Sequence, residues 1–180
     1  MTFNGYLSKM RGGGESPPRV GPKEMLWSMI GSFAGIGGCC YLSVRYFEPR
    51  DLTLVIASFG ASAVLIYGAV KSPLAQPRNL VGGHLISAII GVACFQLFGG
   101  QWFSAALAVS SAIAMMLLTG TLHPPGGATA LLAVLGSVQI HKLGFFYVLV
   151  PVGLGAIIML AIALVVNNLS RGRRYPEYWL

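Results

Sequence analysis

Long uncharged apolar runs alternate with short stretches that hold nearly all of the charge. No Asp, Glu, Lys or Arg occurs within 25–44, 52–70, 79–100, 101–120 or 143–166. Each run is about the length that crosses roughly 30 Å of hydrocarbon. A sixth run, 124–139, is uncharged but short and opens with Pro124-Pro125-Gly126-Gly127. The pattern predicts an all-helical membrane protein of about six transmembrane or broken helices. The clearest break is His123-Pro124-Pro125: the prolines lack N–H donors and disfavour helix through His123 and Pro124. A helix is expected from near Gly127 to about Leu135, its first turn presenting unpaired N–H groups and a positive dipole end. Irregular backbone at membrane depth survives only where protein covers it or a wet cavity meets it, so this stretch belongs at the centre.

Gly60-Ala61-Ser62-Ala63-Val64-Leu65 and Gly127-Ala128-Thr129-Ala130-Leu131-Leu132 read almost alike, offset by 67 residues. Ala88-Ile89-Ile90 and Ala156-Ile157-Ile158 echo each other at 68. Broken hydrophobic segments repeated in two halves mark transport proteins, whose breaks make the site. Three segments per half would insert the second half upside down. The expected arrangement is two inverted three-helix repeats, about 23–99 and about 100–170. Gly60 reads equally well as a close-packing glycine of an unbroken helix, since no proline precedes it. Gly31 and Gly35 form a small-xxx-small pair, a weak signal in a chain with 24 glycines.

Charge fixes the orientation. With six crossings and the N-terminus inside, the inner side holds Lys9, Arg11, Arg19, Lys23, Lys71, Arg78, Arg171, Arg173 and Arg174, and the outer side only Arg45, Arg50 and Lys142. Five crossings would level that bias, so the basic-inside tendency favours six, with both termini cytoplasmic. A disordered tail (1–24), a transmembrane domain (25–166) and a basic C-terminal tail (167–180) follow. The +7 net charge belongs to these membrane flanks and not to nucleic-acid binding. Residues 1–24 lack the pattern of a signal or transit peptide, and a bacterial inner membrane is the expected home. At 55% hydrophobic, 9% charged and a mean hydropathy of +0.72, the composition excludes a soluble domain. Cys39, Cys40 and Cys94 sit in apolar segments without metal spacing and read as small hydrophobes.

The polar side chains with access to the interior are Ser62, His84, Ser87, Gln96, His123 and Thr129; no carboxylate lies within a span. Cation and proton-coupled carriers typically place carboxylates at depth, so this interior suits an anion or a neutral solute. Two bland alternatives stand beside that reading. His123 could merely fix the turn, and His84 reads first as structural. No phosphate-binding loop is present, which excludes an in-chain ATP motor.

Leu122-His123-Pro124-Pro125-Gly126-Gly127-Ala128-Thr129-Ala130 resembles the signature of the HPP family of integral membrane proteins, named after its His-Pro-Pro. Phe59-Gly60-Ala61-Ser62-Ala63-Val64-Leu65, Ser72-Pro73-Leu74-Ala75-Gln76-Pro77-Arg78-Asn79 and Gly82-Gly83-His84 look like the same family. The resemblance covers roughly 25–166 and implies membrane transport, with nitrite the leading substrate because some members are associated with it. The expected protein is a non-enzymatic transporter or channel for a small inorganic anion. Its path would run past the helix ends at Gly60-Ala61-Ser62 and at His123 through Thr129, with His84 beside it. Gln76 and Asn79 would belong to the path, and Arg78 would raise anion concentration at its cytoplasmic mouth. No cofactor or metal is expected. The partners are the lipid bilayer and the anion, with homo-oligomerisation left open. The rivals are a membrane enzyme using His84 and His123, poorly supported without a ligand or nucleophile set, and a non-transporting scaffold subunit.

Overall fold

The computed structural model describes residues 9–10, 14–48 and 54–180. Helix α1, Pro22–Leu42, starts with proline in its first turn, where the missing N–H costs nothing. It continues as a π-helical turn over Ser43–Phe47. Among its described residues the second predicted segment is helical only from Ser58: α2, Ser58–Ala63, runs into a π-helical turn, Val64–Gly68. At about 1.5 Å per residue this element reaches only about 16 Å, half the hydrocarbon thickness. A 3₁₀ turn, Pro73–Ala75, leads into α3, Pro77–Phe98, followed by α4, Trp102–Leu118. The chain breaks over 119–123, as the prolines demand, and resumes as α5, Pro124–Leu135. That start is three residues earlier than predicted, because the two prolines occupy the first turn instead of preceding it. Short α6, Val138–Leu143, comes next, then an irregular π-helical stretch, Val148–Gly153, and α7, Leu154–Leu169. The final span is therefore interrupted at Val150, whose backbone is extended, immediately before Pro151.

Among the described residues all regular structure is helical. Pro22–Phe47, Pro77–Phe98 and Val148–Leu169 are long and apolar enough to cross a membrane, and three shorter apolar helices accompany them. In chain order these six run long, short, long, short, short, long.

Small residues set the packing. On α3, Gly83, Ser87 and Gly91 lie four apart on one face and meet α5 so closely that a Cβ at Gly91 would stand 2.7 Å from the Ala130 carbonyl. Such close approach is the usual way apolar helices associate where lipid removes the hydrophobic drive. Ala105, Ala108, Ala112 and Met116 of α4 pack with Ala130 and Val134 of α5. Gly31 and Gly35 of α1 face the Tyr67 ring, so this glycine pair serves internal packing and not a dimer face. Large apolar side chains such as Phe33, Trp102 and Leu118 stay exposed, as a lipid-facing surface requires.

One end of the bundle gathers three distant stretches. Arg173 pairs with Glu24 at 2.8 Å and donates to Asn167 Oδ1 at 3.0 Å. Tyr175 donates to the Ala75 carbonyl at 2.8 Å, and the Glu177 N–H to Gln76 Oε1 at 2.8 Å. The start of α1, the turn after α2 and the C-terminal segment thus meet. The segment predicted as a tail from 167 instead begins within α7 and continues packed against this end. Of the predicted N-terminal tail, residues 1–8 and 11–13 lie outside the described residues, while 22–24 already belong to α1.

Candidate functional site

Extended backbone at His123 (φ −139°, ψ 102°), as expected before a proline, places its imidazole at the head of α5. Ser58 and Ser62, one helical turn apart, share a face of α2. Around them His84 of α3 and Thr129 of α5 complete a cluster. Ser62 Oγ lies 2.7 Å from His84 Nε2 and 2.9 Å from His123 Nε2. His84 Nδ1 lies 2.7 Å from Thr129 Oγ1, which is 2.9 Å from Ser58 Oγ. His123 Nδ1 lies 2.8 Å from the Leu74 carbonyl oxygen. Because Ser58 meets Thr129 while Ser62 meets His123, α2 and α5 run antiparallel. Ser62, His84, His123 and Thr129 are each 0% exposed. His84 lies seven residues into α3, about 10 Å from that end of the helix.

Aromatic groups wall the cluster. Phe59 stands edge-on to His84 at 5.4 Å between ring centroids, and the two imidazoles are 5.0 Å apart. Tyr147 donates to the Thr129 carbonyl at 3.2 Å, holding α5 from the far side. Chemically the cluster can donate and accept hydrogen bonds and can hold a proton. Two imidazoles and three hydroxyls do not make a tetrahedral donor set, and no group of three His, Cys, Asp or Glu among the described residues could hold a metal.

The structure brings together Ser62, His84, His123 and Thr129 of the residues singled out by sequence. Pro125 and Gly126 lie buried beside them: the Pro125 carbonyl is 3.3 Å from Thr129 Oγ1, and a Cβ at Gly126 would stand 2.6 Å from Ser87 Oγ. Gly60 and Ala61 instead face outward, as do Pro124 and Ala128, and Gly127 is half-buried beside Val109. Helix periodicity explains the division. One residue separates Gly60 from Ser62 and Gly127 from Thr129, which turns glycine and hydroxyl to different faces.

The expected free helix-end donors are not there. Pro124 and Pro125 carry no N–H, and the Gly126 N–H donates to the His123 carbonyl at 2.8 Å. On α2, the Phe59 and Gly60 N–H groups donate to Ile56 and Ala57 carbonyls. Side chains, not helix ends, carry the polar character of this centre.

Gln76, Arg78 and Asn79 bind the turn rather than the cluster. Gln76 Nε2 donates to the Val70 and Ser72 carbonyls at 3.1 and 2.8 Å. Asn79 Nδ2 donates to the Leu122 carbonyl at 2.9 Å. Exposed Arg78 donates to the Thr119 carbonyl and so caps the C-terminal end of α4. A pocket of about 290 Å³ at this end is lined by Lys71, Arg173 and Arg174 together with Glu24. Gln96 faces outward at the other end. Sequence reasoning missed Ser58, the Leu74 carbonyl and Tyr147. Only Ser58 left a signal, its four-residue spacing from Ser62.

The profile of the HPP transmembrane region matches residues 17–176. Two Dictyostelium discoideum proteins, each named only as a transmembrane protein, are 46% and 45% identical, over 98% and 97% of this chain. The chain spans about three-fifths of their lengths (58% and 63%). Both come from a eukaryote, so these relatives give no support to a bacterial inner membrane. No solved structure matches. The His-Pro-Pro break that heads α5 and the profile laid over nearly all of the helices agree, and the chain belongs to the HPP family of transmembrane proteins.

Proposed function

We propose that this integral membrane protein moves a small inorganic anion across the bilayer, with nitrite the first substrate to test. One observation carries the reading: two imidazoles and two hydroxyls from three helices converge, wholly buried, at a proline-made break. Polar groups at such depth are costly and mark substrate or ion pathways. Among the described residues no carboxylate touches them, so their donors suit an oxyanion and repel no anion. In this reading the structure is an occluded state.

Two inverted three-helix repeats would build that centre. The antiparallel course of α2 and α5, each a half-length helix between longer ones, supports this arrangement. Six membrane passages with both termini cytoplasmic fit the gathering of α1's start, the 71–78 turn and the C-terminal segment at one basic end. Exposed Lys71 and Arg174 would raise anion concentration at that mouth.

An enzyme built on Ser62 and His84 is the weaker reading. The pair has nucleophile–base spacing, but a second imidazole already occupies Ser62 Oγ. The prolines also remove the helix-end donors that would stabilise an oxyanion.

Uptake into proteoliposomes tests the proposal, using nitrite, nitrate, formate and chloride beside sodium and potassium. Nitrite should enter well above protein-free vesicles, and the cations should not. Equal or faster cation uptake would refute anion selectivity. Absence of uptake for every solute would leave the scaffold reading.

A further inference from the structure

We propose that the basic pocket at the gathered end of the bundle and an apolar groove beside it form one site for an anionic phospholipid. Lys71 and Arg174 would hold its phosphate, and one acyl chain would lie between α1 and α2. No residue of the buried cluster takes part, so the site stands or falls independently of the transport reading.

The two cavities adjoin. Glu24, Lys71, Ser72, Arg173 and Arg174 line the pocket of about 290 Å³, which reaches Gly68. Gly68 also lines a groove of about 420 Å³, whose walls include Met29, Ser32 and Ile36 of α1 and Gly60 and Val64 of the second element. On α1 the handover falls between consecutive residues, Glu24 in the pocket and Met25 in the groove.

Charge selects the headgroup. Glu24 is the one carboxylate among the described residues of the pocket, and Arg173 holds it at 2.8 Å. Arg173 is itself buried and also donates to Asn167 and Ser28, so this pair is closed and neutral. Lys71 and Arg174 are exposed, and neither side chain pairs with another described residue. They offer two positive charges to a phosphodiester that carries one, leaving one over at the mouth. Ser72 Oγ accepts from the Leu74 N–H at 3.2 Å, and its own hydrogen is unspent on any described residue. Basic pockets between membrane helices at the bilayer surface hold anionic lipid heads in this way.

Length and polarity select the chain. Met25, Met29, Ser32 and Ile36 fall on one stripe of α1. From Met25 to Ile36 a helix rises about 16 Å, close to the roughly 15 Å that one leaflet contributes to the hydrocarbon core. The serines of this wall are satisfied at home: Ser28 Oγ donates to the Glu24 carbonyl at 3.0 Å, and Ser32 Oγ to the Ser28 carbonyl at 2.7 Å. Methyl and methylene groups are what the groove presents. Gly60 and Gly68 make its room, since a Cβ at either meets nothing within 4 Å. A partner helix could use the apolar wall but would leave the two cations at its end unmatched. A phosphate-headed acyl chain matches both.

Native mass spectrometry of the full chain in detergent tests the site with dioleoyl phosphatidylglycerol and dioleoyl phosphatidylcholine. Phosphatidylglycerol should stay bound one to one, with affinity roughly tenfold above phosphatidylcholine; equal retention overturns the proposal. Lys71→Gln combined with Arg174→Gln should abolish that preference. Gly68→Leu should weaken phosphatidylglycerol binding by roughly tenfold while the lipid-free melting temperature stays unchanged. Undiminished binding in either variant overturns the site. So does inorganic phosphate that displaces the lipid at equal concentration, because the groove would then contribute nothing. A phosphatidylglycerol with a diazirine in its acyl chain should label Met29 and Val64 above Trp102 and Leu118, which are exposed on α4. Even labelling of the four would refute the groove, and this arm uses the unaltered chain, so it decides whether or not the variants fold.

Discussion

Half-helices α2 and α5 carry the same Gly-Ala-[Ser/Thr]-Ala string and present it the same way. Gly60-Ala61 and Ala128 face out, while Ser62-Ala63 and Thr129-Ala130 face in. Their openings differ. Two prolines and a histidine start α5, whereas α2 starts on Ala57-Ser58 with its early N–H groups bonded back to Ile56 and Ala57. The hydroxyls are served differently as well. Ser62 sits between two imidazoles, and Thr129 sits between one imidazole and Ser58. The shared string thus encodes a facing pattern, and the hydroxyl within it carries the chemistry; the glycine only sets the spacing. The unshared His-Pro-Pro supplies the second imidazole and makes the centre asymmetric.

The sharpest test of this comparison pits neighbouring glycines against each other. Gly126→Val should destabilise by about 3 kcal/mol, the upper range for overpacking, because the new Cβ meets Ser87 Oγ at 2.6 Å and the Gly83 carbonyl at 2.9 Å. Gly127→Val meets only Val109, at 3.8 Å. Thermal unfolding in detergent should separate the pair clearly, and equal losses would mean that the α3–α5 packing is misread.

His84 joins the two half-helices, so its removal should affect both. His84→Phe removes one hydrogen-bond partner from each of Ser62 and Thr129, which keep His123 and Ser58, and should cost about 2 kcal/mol for the two lost buried bonds. A melting temperature unchanged in the variant would show that these contacts are dispensable.

Ser62→Ala and Thr129→Val should each weaken anion flux, and the double mutant should lose less than the sum. Because both hydroxyls act through the two nitrogens of one ring, a coupling on the order of 1 kcal/mol is expected. Strict additivity in a double-mutant cycle would break the link between α2 and α5.

Smaller effects come from groups outside the cluster. Arg78→Gln removes the cap on α4 and should cost about 0.3–1 kcal/mol. Any accompanying loss of flux should be clearest at low salt, where the Debye length is on the order of 30 Å at 0.01 M. Gly60→Ala meets nothing within 4 Å and should change stability by less than about 1 kcal/mol, in the stabilising direction. A flux defect in Gly60→Ala would return the glycine to the path.

Local rules made part of this protein legible before any fold was known. Uncharged run length predicts an apolar helical membrane protein, since hydrocarbon tolerates neither charge nor unpaired backbone. Proline's missing N–H and fixed φ predict the break at His123-Pro124-Pro125, and four buried residues of the cluster were named from polarity alone. What failed depended on distance in the chain. Run length could not show that a half-helix would start only at Ser58, because helix and extended backbone are equally apolar when protein covers them. Nor could it show that α5 begins on its prolines and so loses its free donors.

Sequence by itself determined the membrane setting, the family, the break and the short menu of interior polar groups, because each follows from the chemistry of neighbouring residues. Tertiary structure alone decided which of those groups share hydrogens. Ser62 and His123 are 61 residues apart, and Leu74 and His123 are 49 apart. Only the packing of Gly83, Ser87 and Gly91 against α5, with α2 laid antiparallel beside it, brings such groups within hydrogen-bond reach. A hydrogen bond falls away within an ångström, so its pairing is a property of the fold and not of the residues one by one.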